Sequence, residues 1–162
     1  GITTFKIEGR NREPEYIDTV VRVYKKALNK KLTKQEIKQG MEELNKVYTK
    51  GFSSGFLLKS PTSDDFSNID HSKATQKKQF IGKISHYYPK ISVAQLKLNN
   101  GPLKIDDKIL IMGKTTGLVR HKITSMEIKN KSIKTAKKGQ EIAVKIPFCR
   151  KGDELYRIIK RN

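Results

Sequence analysis

Cysteine is almost absent from this sequence, and Cys149 stands alone in 162 residues. One thiol forms no internal disulfide framework, and without companions it builds no thiolate metal cage. Histidine is scarce too. His71, His86 and His121 have neither ligand-like spacing nor a neighbouring cysteine or carboxylate cluster, so no metal site is expected. No apolar run approaches the roughly 20 residues that a membrane span requires, and no secretory signal opens the chain. These two absences predict a cytoplasmic protein with no membrane partner. An initiator methionine is also missing, which implies that Gly1 is not the natural start.

The last shortage, of acidic side chains, is local. The whole chain carries 35 Lys and Arg against 16 Asp and Glu, a net charge of +19. Residues 1–71 hold 13 basic and 10 acidic side chains, whereas residues 72–162 hold 22 and six. AT-rich coding would enrich Lys, Asn and Ile, but it would raise Glu as well, and the second half has only three. A positive field concentrated in one half points to a polyanionic partner, nucleic acid first.

Along the chain the apolar pattern changes period once. Thr3 to Gly9 alternates as a short strand does. Pro14 suits the first turn of a helix, with Glu13, Glu15 and Asp18 at its positive end, and Ile17, Val20, Val21, Tyr24, Ala27 and Leu28 share one face. Thr33-Lys34-Gln35-Glu36 is a capping box that opens a second helix, with Ile37, Met41, Leu44, Val47 and Tyr48 as its stripe and Gly51 as its stop. A lone strand feeding a helix normally belongs to a parallel sheet, and nothing later supplies the other strands. The sequence therefore reads as the C-terminal piece of something longer.

Residues 59–78 are polar with little periodicity and read as a linker. From Phe80 onward, six strands are expected: Phe80 to Tyr87, Ile91 to Leu98, Lys108 to Met112, Leu118 to Ile128, Glu141 to Ile146 and Leu155 to Ile159. Turn signals such as Asn99-Asn100-Gly101-Pro102 and Lys151-Gly152-Asp153 separate them. Strands without a helical interlude suggest a small closed barrel. The expected fold is thus α+β: residues 1–58 give a terminal βα piece and helical hairpin, and residues 79–162 give a basic six-stranded β-barrel.

Gly51-Phe52-Ser53-Ser54-Gly55 spells the Gly-x-Ser-x-Gly pattern of a hydrolase nucleophile elbow. That elbow needs a strand before the serine and a helix after it. Here a helix precedes and the apolar run Phe56-Leu57-Leu58 follows, and the nearest triad partners, Asp64, Asp65, Asp70 and His71, sit in the linker. The stretch is read instead as a glycine-hinged junction with Phe52 and Phe56 as packing anchors. Cys149, after Pro147 and Phe148, is read as a barrel residue, not a reactive thiol.

Phe5-Lys6-Ile7-Glu8-Gly9-Arg10, then Tyr16 to Tyr24, then Gly51-Phe52-Ser53-Ser54-Gly55-Phe56, resembles the collagenase-like peptidase family over essentially the whole chain. The second half is similar to the barrel of translation elongation factor Tu domain two, through Ile81-Gly82-Lys83-Ile84, Leu103 to Met112, and Ile123 to Ile128 with Ala136 to Ile146. The resemblance implies that residues 1–58 close a TIM-type catalytic barrel. Members of the family include proteases and proteins of RNA and ubiquinone hydroxylation that carry an iron–sulfur cluster on four cysteines. Those cysteines lie upstream of the Phe5 to Arg10 strand in the family, so no cluster and no complete catalytic site is expected in this chain.

In such a barrel Lys6, Glu8 and Arg10 stand at the C-terminal end of a strand, where these folds place their chemistry. They either grip a substrate carboxylate or phosphate, or form an ordinary salt-bridged strand end. For the basic half, Lys83, Tyr87 and Lys90 could combine base stacking with phosphate contact. Arg120, Lys122, Lys129, Lys131, Lys134, Lys137 and Lys138 form the densest basic run, and lysine over arginine favours phosphate attraction over base reading. The expected role is to present structured RNA, tRNA or ribosomal RNA, to a catalytic domain absent from this chain. An accessory domain gripping protein substrates for a collagenase-like protease and a barrel that only mediates subunit contacts are the alternatives, and oligomeric state is left unassigned.

Overall fold

The computed structural model describes residues 3–58, 60, 62 and 72–161. They fall into two compact units, one comprising Gly1–Lys77 with Lys160–Asn162 and the other Lys78–Ile159. The candidate triad partners Asp64, Asp65, Asp70 and His71, and most of the expected linker, lie outside the described residues.

The first unit is built on helices α1 (Pro14–Asn29) and α2 (Lys34–Lys46). Proline at the first helical position starts α1, since its missing N–H would have had no helical partner anyway. The expected capping box starts α2: Thr33 Oγ1 accepts from Glu36 N at 3.2 Å, and Thr33 N donates back to Glu36 Oε2 at 3.0 Å. The helices run antiparallel, because Arg22 pairs with Glu43 at 3.3 Å while Lys26 and Lys30, further along α1, reach back to Glu36. Little is buried between them: Thr19, Val20 and Leu44 are covered, but Leu28 is 63% and Ile37 52% exposed.

Three details depart from the sequence reading. Residues 3–9 belong to no strand, because a ladder needs a paired edge and none is paired with them among the described residues. The second helix stops at Lys46, five residues before Gly51, where Val47 turns extended. The chain beyond it is tied to residues 72–75, with Lys73 N bonded to Thr49 O at 2.7 Å and Thr75 N to Asn45 O at 2.9 Å. Gly51 keeps a positive φ of 114° outside the helix and is not its cap. The third departure concerns the anchors: Phe52 is 51% and Phe56 83% exposed.

The second unit is an antiparallel sheet of β1 (Gln76–Tyr88), β2 (Val93–Lys97), β4 (Lys108–Gly113), β5 (Gly117–Lys122), β6 (Met126–Ile128), β7 (Lys131–Ser132), β9 (Glu141–Lys145) and β10 (Glu154–Lys160), with β3 (Leu103–Lys104) and β8 (Thr135–Ala136) paired separately. The order is β5-β4-β10-β1-β2-β9-β6-β7. Strands β4 and β6 are five places apart, roughly 24 Å in a flat sheet at about 4.8 Å per strand. Yet Ile109 and Ile111 of β4 share one buried cluster with Met126 of β6, as well as with Leu96, Ile142 and Leu155. The sheet is therefore rolled around its core. No ladder joins β5 to β7, and a corner is held instead by Asp106 N to Ile123 O and Ile123 N to Asp107 O, both 2.9 Å. The same corner splits the single strand expected from Leu118 to Ile128 into β5 and β6.

One irregularity decides which aromatic faces solvent. Ile84 pairs with Leu96 but His86 pairs with Gln95, so β1 bulges at Ser85. A bulge reverses the faces beyond it. Counting from buried Ile84, strict alternation would turn Tyr87 outward. Instead Tyr87 opposes buried Ala94, packs against the core and donates its hydroxyl to Pro147 O at 2.8 Å, while His86 and Tyr88 turn out.

Candidate nucleic-acid interface

The outer face of β2, β9 and β6 is concave, and the register shows how it is floored. Gln95 opposes Ala143, which opposes Glu127, and alongside, Tyr88 opposes Val93, which opposes Lys145. Small Ala143 between two polar side chains leaves an open groove of about 800 Å³. Tyr88 and Ile91 form one wall. Lys129 and Asn130, at the tip of the β6–β7 hairpin, border it as well.

That tip is a two-residue turn with positive φ at both positions, 48° at Lys129 and 62° at Asn130. Such a turn follows the sheet's twist, and it holds Lys129 in a backbone region that lysine seldom adopts. On the floor, Gln95 Nε2 donates to Glu141 Oε1 at 3.0 Å, and Glu127 stands opposite Ala143. At the rim the His86 and Tyr88 rings lie 4.3 Å apart, and Tyr88 is 44% exposed.

The basic residues singled out from the sequence divide by location. Lys129 borders the groove, Lys131 follows it on β7, and Lys137 and Lys138 sit in the turn ahead of β9, where Lys137 N donates to the groove residue Gln140. Lys134 follows β7, and Lys90 lies in the turn after Tyr88. Arg120 and Lys122 are on β5, at the sheet's opposite edge, and Lys122 is already paired with Asp106 at 2.7 Å. Lys83 pairs with Glu154 at 3.3 Å, and that carboxyl is held below its ordinary range by the Tyr156 hydroxyl and then by Lys83. Sequence reasoning placed Tyr88 in the aromatic stretch His86 to Pro89 but chose Tyr87 as the site residue, and it passed over Glu127, Glu141 and Lys145. Strand alternation could have placed the last three outside, but no sequence signal marks the bulge at Ser85 that turns Tyr88 out.

In the helical unit, Lys6 and Glu8 do share an open groove of about 570 Å³ with Tyr24, Leu44 and Phe52, while Arg10 does not line it. Glu8 accepts from the Arg10 backbone at 2.9 Å, and Arg12 stacks 3.6 Å above the Tyr48 ring. Ser53 spends its hydroxyl locally, accepting from Gly55 N at 3.3 Å. Cys149 is buried, and that burial, with Asp153 nearby, pushes its thiol up to about 12. A protonated, enclosed thiol is a poor nucleophile and metal ligand. A four-cysteine cluster does not fit this chain's residues. No three His, Cys, Asp or Glu side chains among the described residues are grouped to hold a metal ion, and no described helix is long and apolar enough to cross a membrane.

A helical hairpin followed by a rolled, lysine-rich sheet with a groove on its outer face defines an α+β protein in two units. Residues 1–67 match the model of peptidase family U32, so this part of the chain is similar to the collagenase-like proteins of that family. It is 35% identical to a collagenase of Porphyromonas gingivalis over 100% of this chain and 40% of that protein. It is 29% identical to tRNA hydroxylation protein P1 of Bacillus subtilis over 62% of this chain and 24% of that protein. The solved C-terminal domain of a U32-peptidase-like protein from Geobacillus thermoleovorans aligns over 48% of this chain and 96% of its own, with a TM-score of 0.45 and 14% identity. The chain spans about 40% of the length of the Porphyromonas relative.

Proposed function

We propose that this chain is the substrate-holding part of a U32-family RNA-modifying protein. Its sheet unit presents structured RNA, tRNA or ribosomal RNA, for hydroxylation by a catalytic barrel contributed by the rest of the protein. Any iron–sulfur cluster belongs to that other part. The observation that carries the reading is the charge distribution: 22 basic against six acidic side chains in residues 72–162. Lysines outnumber arginines, which suits phosphate attraction with weak sequence preference. The Bacillus subtilis relative's name supports RNA as the substrate class.

Filter binding of this chain to tRNA across a salt series tests it. Affinity should fall linearly on a log–log plot, by about 0.9 decades per decade of salt for each phosphate neutralised in a duplex region. Changing Lys129, Lys131, Lys137 and Lys138 together to Glu should abolish binding. No salt-dependent RNA affinity at low ionic strength would sink the proposal.

A second reading rests on the 35% identity, over the whole chain, to a protein named collagenase. There the sheet unit grips a protein substrate. Saturable binding of denatured collagen by this chain, unaffected by the four charge reversals, would favour it.

A further inference from the structure

A site that only attracts phosphates has no use for carboxylates on its floor, because they repel the ligand. The groove over β2, β9 and β6 is lined by two, Glu127 and Glu141, together with Lys129 and Lys145. Carboxylates are acceptors only, and they match the donors of an RNA: the 2′-hydroxyl, the imino N–H and, with two protons, the exocyclic amino group of a base. The floor is fixed for that purpose: Gln95 orients Glu141 at 3.0 Å, and Ala143 leaves the space between Gln95 and Glu127 open. Tyr88, held against His86 at 4.3 Å, offers an aromatic surface beside the floor. A volume of about 800 Å³ is of the size that receives small-molecule-sized groups. A paired base inside a duplex presents neither its face nor its pairing edge, so the arrangement suits an unpaired one.

We propose that this groove seats an unpaired stretch of RNA, with one base stacked on Tyr88, its amino-bearing edge received by Glu127 and Glu141, and the flanking phosphates held by Lys129 and Lys145. The inference rests on the RNA reading above and specifies which part of the RNA the sheet holds. Cytosine offers a two-proton amino donor at the corner of its pairing edge, whereas uracil's single imino N–H lies between two carbonyl oxygens that the carboxylates repel. Single strands rich in cytosine should therefore bind more tightly than uracil-rich ones of the same length.

Fluorescence anisotropy of this chain with labelled ten-nucleotide oligo-C, oligo-U and a fully paired RNA duplex tests the assignment. Tyr88→Ala should weaken oligo-C by about tenfold, Tyr88→Phe should retain the affinity, and the duplex should bind both variants alike. Glu127→Gln should narrow the difference between oligo-C and oligo-U. Ala143→Leu fills the floor and should reproduce the loss without touching Tyr88, which guards against a Tyr88 variant that fails to fold. Oligo-C affinity within twofold of wild type in both Tyr88→Ala and Ala143→Leu overturns the groove assignment while leaving RNA binding intact. Binding of none of the three RNAs at low salt overturns both readings. A peptide that saturates the groove without being displaced by oligo-C also overturns the assignment.

Discussion

Glu36 serves three partners at once, and its titration reports on them. Lys30 first, then the Thr33 backbone N–H, hold its carboxyl down to about 2. Its folded pKa is depressed, so its contribution is present above the ordinary carboxylate range and is lost as pH falls toward 2. Helical circular dichroism should fall between about pH 4.5 and 2, and Glu36→Gln should reduce that pH dependence while fraying the start of α2 at neutral pH. The part left is due to Glu43, which Lys46 and Arg22 also hold below its ordinary value. Cys149 gives a second residue-scale outcome. With its thiol at about 12 and 1% of the residue exposed, a disulfide reagent at pH 8 should label it only as fast as the sheet unit unfolds, and in full once denaturant is added. Rapid labelling of the native protein would contradict the burial.

At the scale of elements, the β6–β7 hairpin separates stability from binding. Lys129 occupies the left-handed region at φ 48°, where asparagine is better accommodated, so Lys129→Asn should raise stability by about 0.5–1 kcal/mol. The same change removes a rim charge and should weaken RNA binding. Thermal melting and anisotropy should thus move in opposite directions. Strand β1 gives the opposite case: a Cβ on Gly82 would lie 2.3 Å from the Lys97 carbonyl oxygen. Backbone cannot yield as a side-chain tip can, so Gly82→Ala should cost about 2–4 kcal/mol, read from the denaturant midpoint.

These elements also show what the sequence could and could not disclose. The capping box of α2 and the proline start of α1 are local chemistry, written in adjacent residues, and both appear as expected. Strand ends were legible where turn residues mark them. The bulge at Ser85 was not, because it is set by how β1 meets β2, a partner ten residues away in sequence. That single inserted residue exchanges Tyr87 for Tyr88 on the outer face. Gly51 misled for the same reason: the end of α2 is fixed by Thr49 and Asn45 meeting residues 72–75, not by the next glycine.

Across the whole molecule, charge and apolar burial are distributed differently, and only the first can be counted from composition. The sheet unit encloses a cluster that includes Ile81, Leu96, Leu98, Ile109, Ile111, Ile123 and Ile146, each fully buried. The helical unit covers little beyond Val20, Leu44 and Ala74, and leaves Leu28, Ile37, Phe56, Leu57 and Leu58 largely exposed. Burial contributes roughly 25 cal/mol per Å² of apolar surface, so the two units cannot resist opening equally. A short helix without a packed face is marginal in water, whatever its caps add. In native-state hydrogen exchange, amides of α1 and α2 should exchange within minutes, with protection reaching at most about 2 kcal/mol, while core amides of β2, β4 and β9 approach the global unfolding free energy. Reversing the four lysines proposed to bind RNA should leave both classes unchanged, because those side chains lie outside the core cluster. Uniform, high protection across both helices would show that α1 and α2 are stabilised by more than the contacts described, and would refute this ordering of stabilities.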